Sequence, residues 1–531
     1  MLICYLLEFK CGDFMMNWTP VGIPEAATVL SKLSGTPLVY FDPDVDDLYS
    51  GYFVCKFLEA MKIPYEKYIN ENRMHGFFYE DVAALSGRTV IAVDFSISPD
   101  KLEILRSNHV FLVNIDHHNI QDTELVTYKH DGSDTVDGVV INNQYSFEPD
   151  DKRYLSGAGV VYYVLSHFLP SFDCELTRAL VGLTLLSDIR PIENKEAETF
   201  LRTLYVCRLP YIQYLIDITK AERDYQFGVP RLERNYADYT FNPKINALFR
   251  LNMGTVAMDL AFGTKPSFNL DDARLIQNQI TDYIAENLKS PFNTNNLLDM
   301  QAPGVTQFVK TVTDANGNEV QTSDVVLSSL DIAYMPMVHI SDSYSICNFI
   351  GLTCSHRKGF GKSCVAYVGD DSHVIRGSFR GRFDSVDYLG LFKKYGFRCD
   401  GHRNAFGIMD CDLKDVDFIG LNTEIERLEA EAERHEYENR LVSVDNLSVF
   451  MHSDLLKQIA MTNIFVRDSY RIYLKYTGTN AKRTVRGKMF EFNIDGVMVK
   501  CFDEDIDTSN GYILPIYDRN VLTFYLKNIK K

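Results

Sequence analysis

The sequence predicts an α/β protein, and three groups of segments carry that prediction. Continuous apolar runs at 37–42 (PLVYFD), 89–95 (TVIAVDF) and 109–116 (HVFLVNID) are typical of strands that a parallel sheet buries on both faces. The stretch LYSGYFVCKFLEAMK between the first two runs is interpreted as a helix. The C-terminal part carries RIYLKYTG, KMFEFNIDGVMVKCF and NVLTFYLKNI, which favour strands. We therefore expect a parallel-sheet α/β domain, a smaller α/β domain joined to it by helices, and a β-rich C-terminal module.

Five segments are expected along the chain. Residues 1–35 form an N-terminal leader or extension, and residues 36–225 form the first α/β domain. Residues 226–329 form a helical connector that carries a hairpin insertion, and residues 330–420 form the smaller α/β domain. Residues 421–531 form an acidic helix followed by the β-rich module, for which an OB-like fold is one interpretation.

Short sequence patterns predict individual elements in the segments after residue 225. The stretch ARLIQNQITDYIAENLK has the apolar spacing of an amphipathic helix. Asn316-Gly317, between TVTD and EVQT, predicts the turn of a hairpin. Residues 422–440 hold seven Glu and three Arg, which is typical of a solvated connecting helix.

Composition sets the broad class of the protein. The chain has 531 residues, enough for three or four domains at about 150 residues each. Hydrophobic residues make up 46% and charged residues 24%, which excludes disorder as the dominant state. Its 54 Lys and Arg against 72 Asp and Glu leave a formal charge of −18, which argues against a protein that coats nucleic acid by bulk charge. Any contact with nucleic acid must therefore be local.

The sequence shows no sign of export or membrane insertion. No apolar run approaches the ~20 residues of a membrane helix. The N-terminal MLICYLLEF contains an acid and lacks a basic region before its apolar core, so it is not interpreted as a signal peptide. The 11 cysteines contain no CxxC motif, and several lie in apolar surroundings typical of buried thiols. We expect a cytoplasmic protein with no membrane partner.

The most distinctive motif follows the first predicted strand. Asp42, Asp44 and Asp46 alternate along DPDVDD, and such carboxylates repel one another unless a cation neutralises them. A calcium EF-hand loop also begins D-x-D-x-D, but it needs Gly at position six and Glu at position twelve. Asp47 and Phe53 stand there instead, so an EF-hand is excluded.

Further acids end the other predicted strands. Asp94 ends the second run, Asp116-His117-His118 ends the third, and Asp188 ends the apolar stretch ALVGLTLLSD, which we also interpret as a strand end. A single acid there is most often a cap or turn residue. Four such ends with a His-His pair favour a metal centre, since mixed carboxylate and imidazole ligands suit Mn²⁺. Two ions that share a carboxylate can activate water and hold a phosphoryl group.

Together these motifs resemble the DHH phosphoesterase superfamily and, within it, the RecJ family of single-strand-specific exonucleases. The resemblance covers about 36–410 in family order. Besides the acidic motifs, it rests on LSGAGVVYYVL (155–165), LTLLSDIRPIENKE, NPKINALFRLNMGTVAMDLAF (242–262), RGSFRGRFD and CDGHRNAFGIM. The chain departs from the family pattern at Asp47, Ser96 and Asp400, each of which stands where Gly is common, and HISDSYSICNFIG lacks the family's tryptophan element. None of these departures removes an expected metal ligand.

The resemblance implies a set of metal-binding and catalytic residues. Asp94 is expected to bridge two ions, and His118 to orient the scissile phosphate or the attacking hydroxide. Asp116 either binds metal or fixes the tautomer of a neighbouring imidazole; a His pair at a strand end also serves simply to hydrogen-bond the backbone. The expected catalytic residues are Asp116, His117 and His118. The expected ligands of two Mn²⁺ ions, or of Mg²⁺, are Asp42, Asp44, Asp46, Asp94, Asp116, His117 and Asp188.

Substrate-binding residues follow from the same resemblance. Asn246 and Arg250 would line the path of a single-stranded nucleic acid, although packing between helices explains Asn246 equally well. Residues 356–403 hold ten Lys or Arg against five Asp or Glu, a local basic segment in an acidic protein. Phe379 and Phe383 within it either stack on bases or are buried. The residues expected to contact the phosphodiester are Arg376, Ser378, Arg380, Gly401, His402 and Arg403.

The resemblance implies a monomeric, two-metal 5′→3′ exonuclease that converts single-stranded DNA to nucleoside 5′-monophosphates in DNA repair and recombination. Partners by analogy would be a single-strand-binding protein or a helicase. One alternative is a DHH phosphodiesterase of short oligonucleotides or cyclic dinucleotides, whose members generally lack the P-x-I-N-A-x-x-R stretch. Another is a nuclease-inactive RecJ-like replication scaffold, which would be expected to have lost its ligands.

Overall fold

The computed structural model describes most of the chain. Three segments named in the sequence analysis lie outside the described residues, namely the stretch 1–17, the turn at Asn316-Gly317 and most of HISDSYSICNFIG. The described residues are 18–33, 35–70, 76–77, 79, 81–118, 120, 124–188, 190, 195–219, 223–226, 229–232, 241–264, 267–287, 305–313, 318–327, 330–336, 349–355, 363–369, 374–383, 385–412, 415–438, 441–444, 447–450, 473–476, 482–486, 489–494, 496–501, 512–518 and 521–527.

The chain forms two compact units, divided between Arg274 and Leu275, with residues 516–522 grouped with the first. The first unit is built on a six-stranded sheet. Its strands are β1 Leu38–Phe41, β2 Glu66–Ile69, β3 Thr89–Val93, β4 Phe111–Asp116, β5 Thr127–Tyr128 and β6 Gly138–Asn142. They are arranged in the order β2-β1-β3-β4-β6-β5, and every pair is parallel except β5 with β6.

Helices and one short hairpin complete the first unit. The helices are α1 Ile23–Ser31, α2 Val45–Ala60, α3 Pro99–Ser107, α4 Gly157–Phe168, α5 Glu175–Ser187, α6 Lys195–Val206, α7 Pro210–Thr219, α8 Asn242–Arg250, α9 Gly254–Ala261 and α10 Leu270–Asn287, the last of which continues into the second unit. The hairpin pairs β7 Arg223–Gln226 with β8 Val229–Leu232.

The buried parallel sheet predicted from the apolar runs is confirmed. Every residue of β1, β3 and β6 is buried, as expected for strands covered on both faces. Trp18 and the inward side of α1 join the same hydrophobic core, so part of the 1–35 segment packs into this unit. The sheet and its covering helices form a packed base for the residues at the edge of the sheet.

One sequence interpretation was wrong. The stretch that ends at Asp188 forms helix α5 rather than a strand, and Asp188 is the residue that ends this helix. Every residue of α5 from Ala179 to Leu186 is buried. A helix that is buried on all sides has no polar face, so a short apolar run cannot be distinguished from a buried strand by its periodicity.

The parallel register aligns three acids. The residues immediately before Asp42, Asp94 and Asp116 are paired across β1, β3 and β4. The three acids therefore lie side by side at the carboxyl edge of the sheet. This is the edge at which open α/β sheets bind their ligands.

The second unit contains three β-structures, and the last two strands of the chain belong to it except for their residues between 516 and 522. Its strands and helices are β9 Val305–Thr313, β10 Glu319–Leu327, β11 Leu330–Pro336, β12 Ser363–Gly369, β13 Val374–Arg380, β14 Cys399–His402, β15 Ala405–Asp412, β16 Leu441–Val444, β17 Tyr473–Tyr476, β18 Lys482–Arg486, β19 Met489–Ile494, β20 Val497–Cys501, β21 Tyr512–Asp518, β22 Val521–Lys527, α11 Tyr388–Lys394, α12 Phe418–Glu438 and α13 Leu447–Phe450. Residues 349–355 are also helical.

The predicted hairpin, the mixed α/β sheet and the β-rich C-terminal region are all present. β9 and β10 pair antiparallel over nine residues. A five-stranded sheet has the order β11-β12-β13-β15-β14 and packs against α11 and α12. The C-terminal strands form a seven-stranded sheet with the order β16-β17-β21-β22-β20-β19-β18, whereas an OB fold has five strands.

The acidic helix predicted at 422–440 is α12. Among the helices in the described part of the chain, none combines the length and the apolar character needed to cross a membrane.

Candidate metal centre

Asp46 is held by the N-terminus of helix α4. Its Oδ2 accepts a hydrogen bond of 2.7 Å from the N–H of Gly157, and its Oδ1 accepts one of 3.0 Å from the N–H of Ala158. The first N–H groups of a helix lack partners within the helix, and its dipole favours an anion there. The Asp46 carboxylate is thus fixed in one orientation.

Asp94 adopts a backbone conformation that non-glycine residues rarely use. Its φ angle is 67°, in the left-handed region, and its N–H donates to the carbonyl of Ile115. The residue is 2% exposed, yet no described residue donates a hydrogen bond to its Oδ1. A buried carboxylate oxygen without a donor is costly unless a cation lies against it. Local backbone strain of this kind is found mainly at functional sites.

His117 presents its Nε2 atom to the acids. Its Nδ1 lies 3.2 Å from the carbonyl oxygen of Leu155, so the proton belongs on Nδ1 and the lone pair on Nε2. Nε2 lies 3.1 Å from Oδ1 of Asp94 and 4.0 Å from Oδ2 of Asp46, and Nδ1 lies 3.7 Å from Oδ2 of Asp188. A backbone carbonyl on the distal nitrogen is the usual arrangement of a metal-binding imidazole. Burial lowers the pKa of His117 well below its ordinary value, which favours this neutral form.

Asp116 holds His118 rather than facing the acids. Its Oδ1 accepts hydrogen bonds from the N–H groups of His117 and His118 and lies 2.8 Å from Nδ1 of His118. Burial acts to raise the pKa of Asp116, but attraction to His118 and hydrogen bonding outweigh it, so the pKa lies well below its usual value. Burial likewise acts to lower the pKa of His118, and Asp116 more than reverses this, raising it to about 9.

Two residues that the sequence analysis gave no role complete this support. Ser96 Oγ donates to Oδ2 of Asp116 at 2.9 Å, and Asn142 Nδ2 donates to the same oxygen at 3.2 Å. Ser96 had been noted only as a departure from a common Gly, and Asn142 carries no sequence signal because its position depends on the pairing of β4 with β6. All these contacts give Asp116 a positioning role.

Three overlapping groups of side chains can hold a metal ion within the described residues. In each group, one ligand atom per residue lies within 4.8 Å of the others. Asp94 and His117 each belong to two of the groups, so the groups share ligands as neighbouring metal sites do. The groups are Asp94, His117 and His118; Asp46, His117 and Asp188; and Asp44, Asp47 and Asp94.

The electrostatics of the cluster fit a cation. Burial raises the pKa of Asp46 well above its usual value, and repulsion by Asp188 and Asp44 adds to it. Burial also raises the pKa of Asp47 and of Asp94, with further contributions from neighbouring acids. The positive charge of a divalent ion attracts the carboxylates and so offsets their mutual repulsion, which stabilises their ionised form. Carboxylate oxygens and one or two imidazoles form a donor set that suits Mn²⁺, and Mg²⁺ accepts the oxygens.

Two of the expected ligands do not join these groups. Asp42 is fully buried, and its oxygens accept hydrogen bonds from Nδ2 of Asn70 and the N–H of Gly76. Asp116 is occupied by the contacts described above. Hydrogen bonds of these kinds depend on the folded positions of distant backbone, which the strand-end pattern does not reveal. By contrast, Asp47, absent from the expected ligands, does join a group.

Asn246 and Arg250 lie one helical turn apart on α8, and both are partly exposed. Residues four apart share one face of a helix. The structure therefore places them on one partly exposed face of helix α8.

In the second unit, the predicted phosphate-binding residues lie on β13, on β14 and in the turn that follows. Arg380 and His402 both pair with Ala405 from opposite sides of β15, so they lie at the same level of the sheet. Ser378 and Arg380 point to the sheet face opposite Phe379, since side chains alternate along a strand. Gly401 has a φ of 132°, a conformation that favours glycine.

The basic residues here differ in exposure. Arg380 is partly buried, its Nη1 donates to the carbonyl of Phe379, and burial lowers its pKa. Arg376 is partly buried as well, whereas Arg403 is exposed. Phe379 and Phe383 are both buried in the core of this unit, so burial rather than base stacking describes them.

Comparisons with known proteins agree with this architecture. Residues 38–187 match the model described as the DHH family, N-terminal domain. The chain is similar to the crystal structure of RecJ in complex with Mn²⁺ from Thermus thermophilus, with a TM-score of 0.60, 15% identity, and coverage of 98% of this chain and 72% of that one. The Mg²⁺ complex from the same organism gives a TM-score of 0.56 at 13% identity, covering 98% and 71%. No curated protein matches the chain.

Proposed function

We propose that this chain, a RecJ-like protein of the DHH superfamily, is a divalent-metal-dependent phosphodiesterase that degrades single-stranded DNA from its 5′ end. The observation that carries the proposal is the overlap of three ligand groups, in which Asp94 and His117 each belong to two. A shared carboxylate between two ions is the arrangement that serves phosphodiester hydrolysis. The products would be nucleoside 5′-monophosphates.

The side chains divide naturally between two ions. Asp46, His117 and Asp188 would hold one, and Asp94 would connect it to a second ion beside Asp44. When bound, Mn²⁺ or Mg²⁺ ions stabilise charge on the phosphoryl oxygens and lower the pKa of an attacking water. The cost of keeping Asp94 in a strained conformation fits a carboxylate whose position must be exact to serve two ions.

His118 would act on the scissile phosphate. Its Nδ1 is held by Asp116, which leaves Nε2 as the donor available to a phosphoryl oxygen. Its side chain is 20% exposed, ten times the exposure of His117. We therefore assign His118 to the substrate and His117 to metal, with Asp116 positioning the first of them.

Substrate recognition is proposed for residues of both units. Asn246 and Arg250, on helix α8, would contact the single-stranded DNA. In the second unit, the guanidinium groups would bind phosphate oxygens through charge-assisted hydrogen bonds, and His402 would add a further donor. The residues proposed there are Arg376, Ser378, Arg380, Gly401, His402 and Arg403.

The proposed preference for DNA and the proposed 5′→3′ direction rest on the RecJ family motifs in the sequence. Confined basic residues in an acidic chain favour binding along a narrow path rather than over the whole surface. We extend the proposal to a monomeric cytoplasmic enzyme of DNA repair and recombination that works beside a single-strand-binding protein or a helicase.

The proposal is tested with end-labelled substrates. The purified full chain is incubated with single-stranded and duplex DNA, with RNA, and with di- to pentanucleotides, in Mn²⁺, Mg²⁺ or EDTA. We expect a 5′ label on single-stranded DNA to appear as mononucleotide at the earliest times, while a 3′-labelled strand shortens progressively. The Asp94→Asn variant is the control for contaminating nucleases.

Other outcomes point elsewhere. Early release of a 3′ label would overturn the direction. Cleavage confined to short oligonucleotides or cyclic dinucleotides would favour the phosphodiesterase alternative. A folded protein that binds no Mn²⁺ and cleaves nothing would favour the scaffold.

A further inference from the structure

We propose that Asp47 is a metal ligand, which together with Asp44 and Asp94 forms a carboxylate site beside the one built on His117. This inference rests on the proposed function, since it adds a ligand to the same centre. It concerns a residue that stands where the family resemblance would place a glycine. A metal site with one additional carboxylate would hold its ion more tightly than a site built from Asp44 and Asp94 alone.

The geometry brings the three carboxylates around one point. One oxygen of each lies within 4.8 Å of the other two. Asp47 is 1% exposed and Asp94 is 2% exposed, while Asp44 is the most exposed and lies on the open side of the group. An ion at this point would be shielded by two side chains and accessible past the third.

A second observation points to an ion rather than to a mere cluster of acids. Oδ1 of Asp94 is buried; the unprotonated Nε2 of His117 lies 3.1 Å from it, and none of the described residues donates a hydrogen bond to it. The backbone of Gly157 closes one side of this oxygen so tightly that a Cβ atom there would lie only 2.0 Å away. Asp94 is therefore placed to bind a cation, and Asp44 and Asp47 are the acids that share a group with it.

The other interpretation of Asp47 is a helix-capping residue. It lies in the first turn of α2, its N–H donates to Oδ1 of Asp44 at 2.9 Å, and its Oδ1 lies 3.2 Å from the N–H of Asp42. An acid in a first turn gains typically about 0.3–1 kcal/mol from the helix dipole when exposed. Asp47 is instead 1% exposed, and one of its oxygens lies within 4.8 Å of an oxygen of Asp44 and one of Asp94, a convergence that a shared cation explains and a helix cap does not require. Capping explains its backbone contact but not its burial among carboxylates.

The two interpretations differ in metal binding. Titration calorimetry of the metal-free full chain with MnCl₂ measures stoichiometry and affinity without any substrate. We expect two Mn²⁺ ions in the wild type. In Asp47→Asn and in Asp47→Gly, we expect one of the two affinities to fall at least tenfold while the other is retained. Asp100→Asn is the matched control, since Asp100 is an exposed acid in the first turn of α3.

Melting temperatures of the metal-free variants separate ligation from capping. A ligand whose carboxylate is repelled in the absence of metal predicts that Asp47→Asn melts no lower than the wild type without metal. Unchanged Mn²⁺ affinities in both variants would overturn the inference. If Asp47→Asn then also melted at a lower temperature without metal, Asp47 would be a capping residue. A wild type that binds no Mn²⁺ would overturn the proposed function as well, so the two failures are distinguishable.

Discussion

Gly157 and Asp94 approach each other so closely that a side chain on the glycine would meet the carboxylate. A Cβ atom at Gly157 would lie 2.0 Å from Oδ1 of Asp94 and 2.8 Å from its Cβ. The same glycine donates its N–H to Asp46. Helix α4 thus begins at a residue that both binds one expected ligand and makes room for another.

We expect Gly157→Ala to disable the centre. The added methyl group must displace Asp94 by about 1 Å, and a misplacement of that size can lower the rate about 10²-fold. Nuclease activity and the number of bound Mn²⁺ ions measure the effect. Gly159→Ala is the control, because its Cβ would meet only the flexible side chain of Leu155, at 3.0 Å. Normal Mn²⁺ binding in Gly157→Ala would show that Asp94 does not need its present position.

His117→Ala should abolish activity while leaving the fold intact. The change removes the Nε2 atom that faces both Asp94 and Asp46, so we expect at least one Mn²⁺ ion to be lost. Calorimetry and circular dichroism check binding and folding. His167→Ala serves as the matched control, since this exposed histidine lies at the other end of α4. Wild-type activity in His117→Ala would remove His117 from the mechanism.

Much of this site could be predicted from the sequence, because parallel strands place their following residues at one edge of the sheet. Asp94 and His117 were found in this way. Asp188 was expected at a strand end but ends a helix, and it still reaches His117. A fully buried helix and a buried strand present the same apolar run, so its secondary structure could not be read from the pattern.

The direction in which each acidic side chain points could not be predicted from the sequence. Asp42 and Asp116 follow strands like Asp94, yet backbone and amide donors occupy their oxygens. Those donors come from loops and from a neighbouring strand, and no local pattern encodes them. Asp47 was missed for a related reason, since an acid in a first helical turn ordinarily faces solvent.

Asp116→Asn should separate chemistry from metal binding. The amide is uncharged and has one acceptor oxygen, whereas the two carboxylate oxygens of Asp116 separately serve His118 and the pair Ser96 and Asn142. His118 therefore loses its charged partner and its fixed orientation. Removal of such supporting groups typically costs about 10–100-fold in activity. We expect a loss in this range in kcat with two Mn²⁺ ions still bound. Loss of an ion would instead make Asp116 a direct ligand.

Removal of divalent ions should lower thermal stability. Asp46, Asp47 and Asp94 are buried together, and a bound cation stabilises only the folded arrangement. At a free Mn²⁺ concentration of about 100 times Kd, this stabilisation is about 2.7 kcal/mol per site, which corresponds to roughly 5–10 °C in a unit of this size. Differential scanning fluorimetry in Mn²⁺ and in EDTA measures it. Asp94→Asn should lose most of the difference, and an equal shift in that variant would place the ion elsewhere.

Glu148→Ala should destabilise the first unit without touching the metal centre. Glu148 accepts hydrogen bonds of 2.6 Å from Nε1 of Trp18 and from the N–H of Val21, and it is 5% exposed. Its loss leaves two donors without an acceptor, one of them in a buried side chain, and each such group costs about 1–3 kcal/mol. Trp18 is the only tryptophan of the chain, so its fluorescence during urea unfolding reports this unit directly. We expect a lower unfolding midpoint with unchanged Mn²⁺ affinities. An unchanged midpoint would mean that the segment before α1 contributes little to the stability of the unit, despite the packing of Trp18 against Tyr163.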